Sequence, residues 1–539
     1  MAHAVAPDSR PSGSATASCP TEEVRAALAR PSTYPHRPAT VEVRETHISW
    51  VFLAGEFAYK LKKPLVLDFL NYGTMARRRE MCSEEVRLNR RLAPYVYLGV
   101  RGVALGAAGA ELTDEDDPRA VEFVVEMHRY DERETIAATL ERGELNCEQA
   151  AAVGRVLAGF HATARQVPAA RAPVLAAERR FERNLHELLA DVEQRGEIER
   201  IQALERFAHA FIATHAATFQ RRAREGRIRE GHGDLRAEHV LVGDQVRVVD
   251  CVEFDRGLRE LDVADDLAFL VFDLAALGGE RFGEVLVHAY RDAGGNPGEE
   301  WLIAFYATYR ALVRAKVALL RASQLPSASA VHARGSAEAR DLIALAERFA
   351  WRARLPLVIV VCGAPASGKS HLARALAQRS GFVHLSSDVT RKRLMGLRPT
   401  QRASGLAYSS EWNARTYGEL GRRAANEIAA ERGAIVDATF RHLADRRSFA
   451  AEFNAAAPVV FVECMAPPGV LAERARLRAH DRERVSDADV AIVMCEQHAW
   501  EPLDEVPAGA HMALRSDRPV EQIVSDVLAL LDRRLLELS

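Results

Sequence analysis

Apolar residues in the second half of the chain come in short, nearly unbroken runs separated by stretches of helical period. Leu357-Val-Ile-Val-Val is five apolar residues, mostly β-branched, which reads as a buried strand. Phe382–Leu385, Ala434–Asp437, Pro458–Cys464 and His511–Leu514 read as further strands, with helices between them. That alternation predicts an α/β domain with a parallel sheet. The first half is patterned differently. His47–Leu53 and Phe57–Lys63 flank a turn at Ala54-Gly55-Glu56 and predict a hairpin. A charged helix follows over 76–92, carrying Glu84 and Glu85, then two strands near 98–105 and 119–127. The acidic run Glu111–Asp117 between those strands is a solvated hairpin tip or a surface that meets a cationic substrate. Residues 134–226 have a 3.6-residue period; a polar loop, Gly231–His239, and two short strands at 240–242 and 246–251 come next. Helices resume at Asp262 and run to about Arg321.

The ends and the joints are legible from composition. Residues 1–20 offer almost nothing to bury and read as disordered, with Thr21 placed to cap a helix at Glu22–Arg30. Ser, Ala and Gly over 322–338 suggest a linker, followed by a helix at roughly 336–353. The resulting division is one domain over 21–321, a linker and connecting helix over 322–354, and a second domain over 355–539. No internal repeat is present.

Totals narrow the function classes. The 539 residues, 48% of them hydrophobic, suffice for two or three packed domains, and a net charge of −3 argues against a general nucleic-acid binder. Seven cysteines without a C-x-x-C pair suit reduced thiols better than a disulfide or zinc framework. Asp265, Asp266 and Asp273 break the most apolar stretch, and the N-terminus lacks a signal-peptide core, so a cytoplasmic protein with no membrane partner is expected. Only six of the 72 cationic residues are lysine, at 60, 62, 63, 316, 369 and 392, which draws attention to places where a compact ammonium matters.

One of those lysines completes a motif. Gly363-Ala364-Pro365-Ala366-Ser367-Gly368-Lys369-Ser370 fills the spacing G-x-x-x-x-G-K-[ST] between the first apolar strand and a helical pattern. Backbone N–H groups of such a loop close around phosphates, and the helix N-terminus adds positive potential. Lys369 would reach the β- and γ-phosphates of ATP, and Ser370 would place its hydroxyl on Mg²⁺.

The motifs His232-Gly-Asp-Leu-Arg-Ala-Glu-His239 and Val248-Val-Asp-Cys-Val-Glu-Phe-Asp255 give the first half, over about 40–320, its resemblance to the aminoglycoside phosphotransferase and choline kinase-like fold, an α+β relative of protein kinases. The resemblance implies Asp234 as catalytic base, Asp250 as metal ligand, Lys60 paired with nucleotide phosphates and with Glu85, and Glu126-Met127 at the hinge facing adenine. Asp262, Asp265 and Asp266 read instead as caps and braces of the next helix, and His232 as an ordinary loop histidine. One position departs from the family: the residue five after the catalytic Asp is His239 instead of Asn. Imidazole suits Mg²⁺ poorly and Mn²⁺ or Zn²⁺ better. Either the metal preference changes, Glu238 takes over, or this half no longer transfers phosphate.

The second half, over about 355–535, is similar to small P-loop kinases of the polynucleotide kinase and zeta-toxin type. Asp388 ends the second strand, where a carboxylate can take a proton from an attacking hydroxyl or cap a helix, and Arg391 one turn on can hold the acceptor. Asp437 ends the next strand and can hold Mg²⁺ or orient the acceptor. Arg474 and Arg478 share a helix face before His480–Arg484; they look like lid arginines on the transferring phosphoryl group, or belong to a solvated face. Ser516–Pro519 can border adenine. The two resemblances together imply a bacterial ATP-dependent kinase acting on a hydroxyl of a small molecule, with two nucleotide sites. Two alternatives stand beside it: a first half that only senses nucleotide or metabolite, and a nucleic-acid end kinase, which lacks a stacking platform.

Overall fold

The computed structural model describes residues 20–537 apart from 68–69, 107–108, 169–172, 191, 193, 324–328, 404, 454–458 and 480–499. The segment expected to be disordered therefore lies, up to residue 19, outside the described residues. Two compact units make up the chain. One runs up to Arg165 and includes Glu230–Leu261; the other joins Gln166–Arg229 to everything from Asp262 onward.

The first unit is built on an antiparallel sheet of six strands: β1 (Val41–Glu45), β2 (Ser49–Ala54), β3 (Phe57–Lys62), β4 (Tyr97–Gly106), β5 (Gly109–Asp114) and β6 (Ala120–His128). Their order is β1-β2-β3-β6-β4-β5. Alternation along β3 sends Tyr59 and Leu61 into a cluster with Trp50 and Phe52, leaving Lys60 and Lys62 on the other face. Helix α2 (Met75–Asn89), capped by Thr74, lies on that other face and packs Cys82 and Val86 against Val125 and Met127. Two strands were not expected. β5 incorporates the first part of the acidic run as an edge strand paired with β4; β1 is a short outer strand whose residues are mostly half-exposed or exposed, so its alternation carries little signal. Helix α1 (Pro20–Leu28) corrects the role of Thr21. It sits inside the first turn, buried, and donates to Glu122 at 2.8 Å, where Arg78 also binds. A hairpin, β7 (Val240–Val242) and β8 (Val246–Val248), carries the polar loop before it and the acidic loop after it.

The second unit opens with helices. Among them are α3 (Arg195–Thr214), α4 (Val263–Ala276), α5 (Glu300–Ser323) and α6 (Ala330–Arg352). Asp262 caps α4 through the Ala264 N–H and pairs with Arg222, while Asp265 binds Arg310 at 2.7 Å, as the cap-and-brace reading expects. Beyond α6 come five parallel strands, β9 (Leu357–Cys362), β10 (Val383–Ser386), β11 (Gly433–Asp437), β12 (Val459–Met465) and β13 (His511–Arg515), in the order β10-β11-β9-β12-β13. All six residues of β9 are buried because helices cover both faces. One face meets α7 (Lys369–Ser380) and α11 (Val520–Glu537); the other meets α9 (Ser410–Ala429).

The expected linker at 322–354 lies within this second unit. Trp351 at the end of α6 is buried in the same core as Leu357 and Ile359, and Ala203 of α3 joins it. Arg354 lies 4.3 Å above the Phe207 ring and pairs with Asp532 of α11, and Thr214 donates to Leu535 O. No helix among the described residues is long and apolar enough to cross a membrane.

Candidate functional sites

In the first unit, β3, α2 and the two loops around the β7–β8 hairpin bring charged groups together. Lys60 Nζ lies 2.9 Å from Glu85 Oε1 and 2.8 Å from Asp250 Oδ1. Burial opposes the charge on Lys60, but Asp250 and Glu85 outweigh it and hold its pKa well above the usual value. The Asp250 side chain is 48% exposed; what burial it has works against its charge, yet Lys60 pulls its carboxyl well below the ordinary range. Its backbone is left-handed at φ 63°, an uncommon state for a non-glycine residue, stabilised by an N–H bond to the Tyr97 hydroxyl. The neighbouring Cys251 N–H donates to Asn89 Oδ1, which ties this loop to α2.

Two histidines order the catalytic-type loop. His232 is buried and donates through Nε2 to Val249 O, leaving Nδ1 to accept the Asp234 N–H. The histidine expected to be an ordinary loop residue thus braces the loop. His239 Nδ1 lies 2.9 Å from Asp234 O and so carries a proton, which leaves Nε2 as the nitrogen that could bind a cation when the ring is neutral. That nitrogen is 3.7 Å from Asp250 Oδ2 and 3.5 Å from Glu238 Oε1, while Glu238 pairs with Arg236. Among the described residues no three His, Cys, Asp or Glu side chains form a group able to hold a metal by themselves. Glu126 and Met127 sit deeper than expected. The ladder continues to His128, Glu126 accepts from the Tyr59 hydroxyl, and Met127 is buried in the core; the chain leaves the sheet only at Arg129.

In the second unit the loop 363–370 joins β9 to α7. Gly363 has φ 138°, and a Cβ there would meet Cys464 O at 2.4 Å; Ala366 also takes a left-handed φ of 64°. Gly363→Ala is expected to destabilise the protein by about 1–3 kcal/mol and to abolish nucleotide binding, read by thermal melting and calorimetry. Ser367 Oγ is buried without a hydrogen-bond partner, and Lys369 Nζ reaches back to Ala364 O at 3.4 Å.

Asp437 ends β11 level with Val361 of β9 and Ser386 of β10. It is 3% exposed, yet its Oδ1 has no partner, and His384 Nε2, equally unpartnered, is 3.6 Å from Oδ2. Asp388 lies in the first turn of α8 (Ser387–Leu394), whose cap is Ser386; it is not the cap. Burial raises the Asp388 pKa, with Asp437 adding to the rise and Lys369 opposing it. Arg391 is directed elsewhere. It is buried, donates to Ala407 O at 2.6 Å and lies over the Tyr408 ring, so it braces the chain at 405–408. Arg474, on α10 (Pro468–Ala479), bridges Ser367 O at 3.2 Å and Ser516 O at 2.8 Å. The Arg478 side chain and His480–Arg484 lie outside the described residues. Ser516, Pro519, Leu372, Val520 and Ile523 help line a cavity of about 470 Å³ beside Gly368.

These two constellations, on these two folds, define a phosphotransferase joined to a P-loop kinase. The Phosphotransferase enzyme family matches residues 73–305, and the AAA domain family matches residues 358–503. The chain belongs to the family of an uncharacterized protein of Mycobacterium tuberculosis H37Rv, 34% identical over 475 residues that cover 86% of this chain and 91% of that one. A Mycobacterium bovis protein matches with the same values. Among solved structures, a choline/ethanolamine kinase family protein from Mesorhizobium loti is 15% identical, covering 60% of this chain and 94% of its own (TM-score 0.36). A gluconokinase from Sinorhizobium meliloti 1021 is 21% identical, covering 33% and 93% (TM-score 0.25).

Sequence reasoning missed three participants. Lys62 follows Lys60 by two on a strand, so it had to share its face. Glu253 sits in the quoted acidic motif without an assigned role. His384, two residues before the end of β10, has only parallel register to place it beside Asp437.

Proposed function

We propose that this phosphotransferase binds ATP with a divalent cation in each unit and that the P-loop unit transfers the terminal phosphoryl group to a hydroxyl of a small molecule. The observation that carries the reading is the meeting of three features at the strand ends: a backbone cradle that no Cβ at Gly363 can enter, a buried unpartnered Asp437 oxygen, and an uncapping, pKa-raised Asp388. The cradle suits phosphate, and the orphan carboxylate oxygen suits a hydrated cation. ATP would supply the phosphoryl group, and the cation would offset charge on its oxygens.

The residues of this chain do the rest. N–H groups of 363–370 hold phosphate oxygens, and Lys369 stands ready to leave its long contact with Ala364 O for them. Ser370 and Asp437 are the groups for the cation. Asp388 would accept the proton of the acceptor hydroxyl as its oxygen bonds to the terminal phosphorus and the bond from that phosphorus to the ADP oxygen breaks. Arg474 ties the loop, through Ser367 O, to Ser516 O on the wall of the cavity that would take the adenine ring. A raised pKa makes Asp388 a stronger base than an ordinary carboxylate.

The first unit offers two protein ligands, Asp250 and His239, 3.7 Å apart, which with nucleotide phosphates is the number a kinase cation site uses. Nucleotide titration of the Lys369→Ala protein is expected to retain one binding event that Lys60→Ala weakens. With a nitrogen lone pair aimed at the site, binding there is expected to be tighter with Mn²⁺ than with Mg²⁺. His239→Asn should move the preference back toward Mg²⁺ in the same calorimetric titration. An unchanged preference would remove His239 from the ligand set.

A further inference from the structure

Lys62 is the charged group that the phosphate-binding account leaves unused. It shares a face of β3 with Lys60 and is 0% exposed, as are Glu85 and Tyr72, while Glu253 is 5% exposed. Glu85 divides its carboxylate between the two lysines: Oε1 accepts from Lys60 at 2.9 Å and Oε2 from Lys62 at 2.6 Å. Lys62 also binds Glu253, which takes the Tyr72 hydroxyl as well, and the Tyr72 oxygen lies 3.4 Å from Lys62 Nζ. A lysine ammonium has three donors, and here three oxygens surround it. A planar guanidinium is larger and cannot be folded into that enclosure, which accounts for a lysine in a chain otherwise rich in arginine.

Charge in the cluster explains the consequence. Glu85, Glu253 and Asp250 bring three negative charges, and Lys60 and Lys62 bring two positive ones. All three carboxylates act on Lys60. With Lys62 absent, Lys60 alone would face them, and nucleotide phosphates would have to compete against all three.

We propose that Lys62 is a positioning residue for the first unit's nucleotide site: by holding Glu253 and half of Glu85, it leaves Lys60 free to exchange Asp250 for phosphate. The proposal rests on the reading of that unit as a nucleotide site. The rival role is an inert buried ion pair that only holds β3 to α2.

A double-substitution cycle on the full-length Lys369→Ala protein separates them, with ATP·Mn²⁺ as titrant and melting temperature measured alongside. Lys62→Met is expected to weaken binding about tenfold, and Lys62→Met with Glu253→Gln to return it to within about threefold of the parent, because the second change removes the uncompensated carboxylate. An inert brace predicts that melting temperature falls and recovers through the cycle while affinity stays level; that result overturns the proposal. So does an affinity loss that the double substitution fails to restore. If Lys62→Met does not fold, the double variant carries the test against the parent, and a tenfold loss there overturns it. Absence of any nucleotide binding by the parent overturns the nucleotide-site reading itself and this proposal with it; binding in the parent that Lys62→Met leaves untouched overturns this proposal alone.

Discussion

Lys369→Ala in the full-length protein is expected to lower phosphoryl transfer by roughly 10²-fold or more, the usual cost of removing a charge positioned on a developing anion. The structure adds that little else should change. Among the described residues Lys369 makes one long bond, 3.4 Å to Ala364 O, and no ion pair, so melting temperature should hold. The full chain is the right material, because Trp351 of α6 and Ala203 of α3 belong to the core beneath the P-loop, and a fragment starting near residue 350 would expose it. Measuring in an Asp234→Asn background keeps the first unit from supplying transfer of its own. Unchanged turnover in that double variant would place the chemistry somewhere other than the P-loop.

Asp388→Asn is expected to cut transfer by about 10²–10⁴-fold while nucleotide affinity stays nearly intact. A capping residue would behave oppositely, losing about 1 kcal/mol of stability with little kinetic effect. The structure already gives the cap position to Ser386. It also predicts the sign of the stability change. A carboxyl whose pKa is raised by folding is ionised at a cost above that pKa, so its neutral isostere should leave melting temperature unchanged or higher at neutral pH. The pH profile follows from the same shift. Asp388 must be deprotonated to accept a proton, so activity should fall on acidification at a higher pH than an ordinary carboxylate would give, and that limb should vanish in the Asn variant. A stable, active Asp388→Asn protein would retire the base assignment.

Much of this was legible in the sequence because the relevant signals are local. The P-loop is eight consecutive residues between a β-branched run and a helix, and its glycines stand where the backbone needs them. The central parallel strands announce themselves as apolar runs, and their alternation with helical stretches puts the four further strands to within a residue or two of where they lie. What sequence could not give is long-range partnership. Spacing to Asp388 points Arg391 at the acceptor, but the chain brings Ala407 and Tyr408 to it. Glu126 and Met127 were set at the hinge, but the extent of the ladder depends on Ala58 and Tyr97 across the sheet. Thr21 had the chemistry of a cap, but Glu122, far along the chain, claims its hydroxyl. The linker over 322–354 was read from small polar residues, and no local feature shows that Trp351 will be buried with residues of β9 and α3.

The most direct test of the central claim is transfer of labelled terminal phosphate from ATP to a library of small hydroxyl compounds by the full-length protein, compared with its Lys369→Ala, Asp388→Asn and Asp234→Asn variants. Transfer by the P-loop unit predicts a labelled small-molecule product that disappears with Lys369→Ala and Asp388→Asn and persists with Asp234→Asn. A product that survives both P-loop-unit substitutions and disappears with Asp234→Asn would contradict it, and would move the chemistry to the first unit.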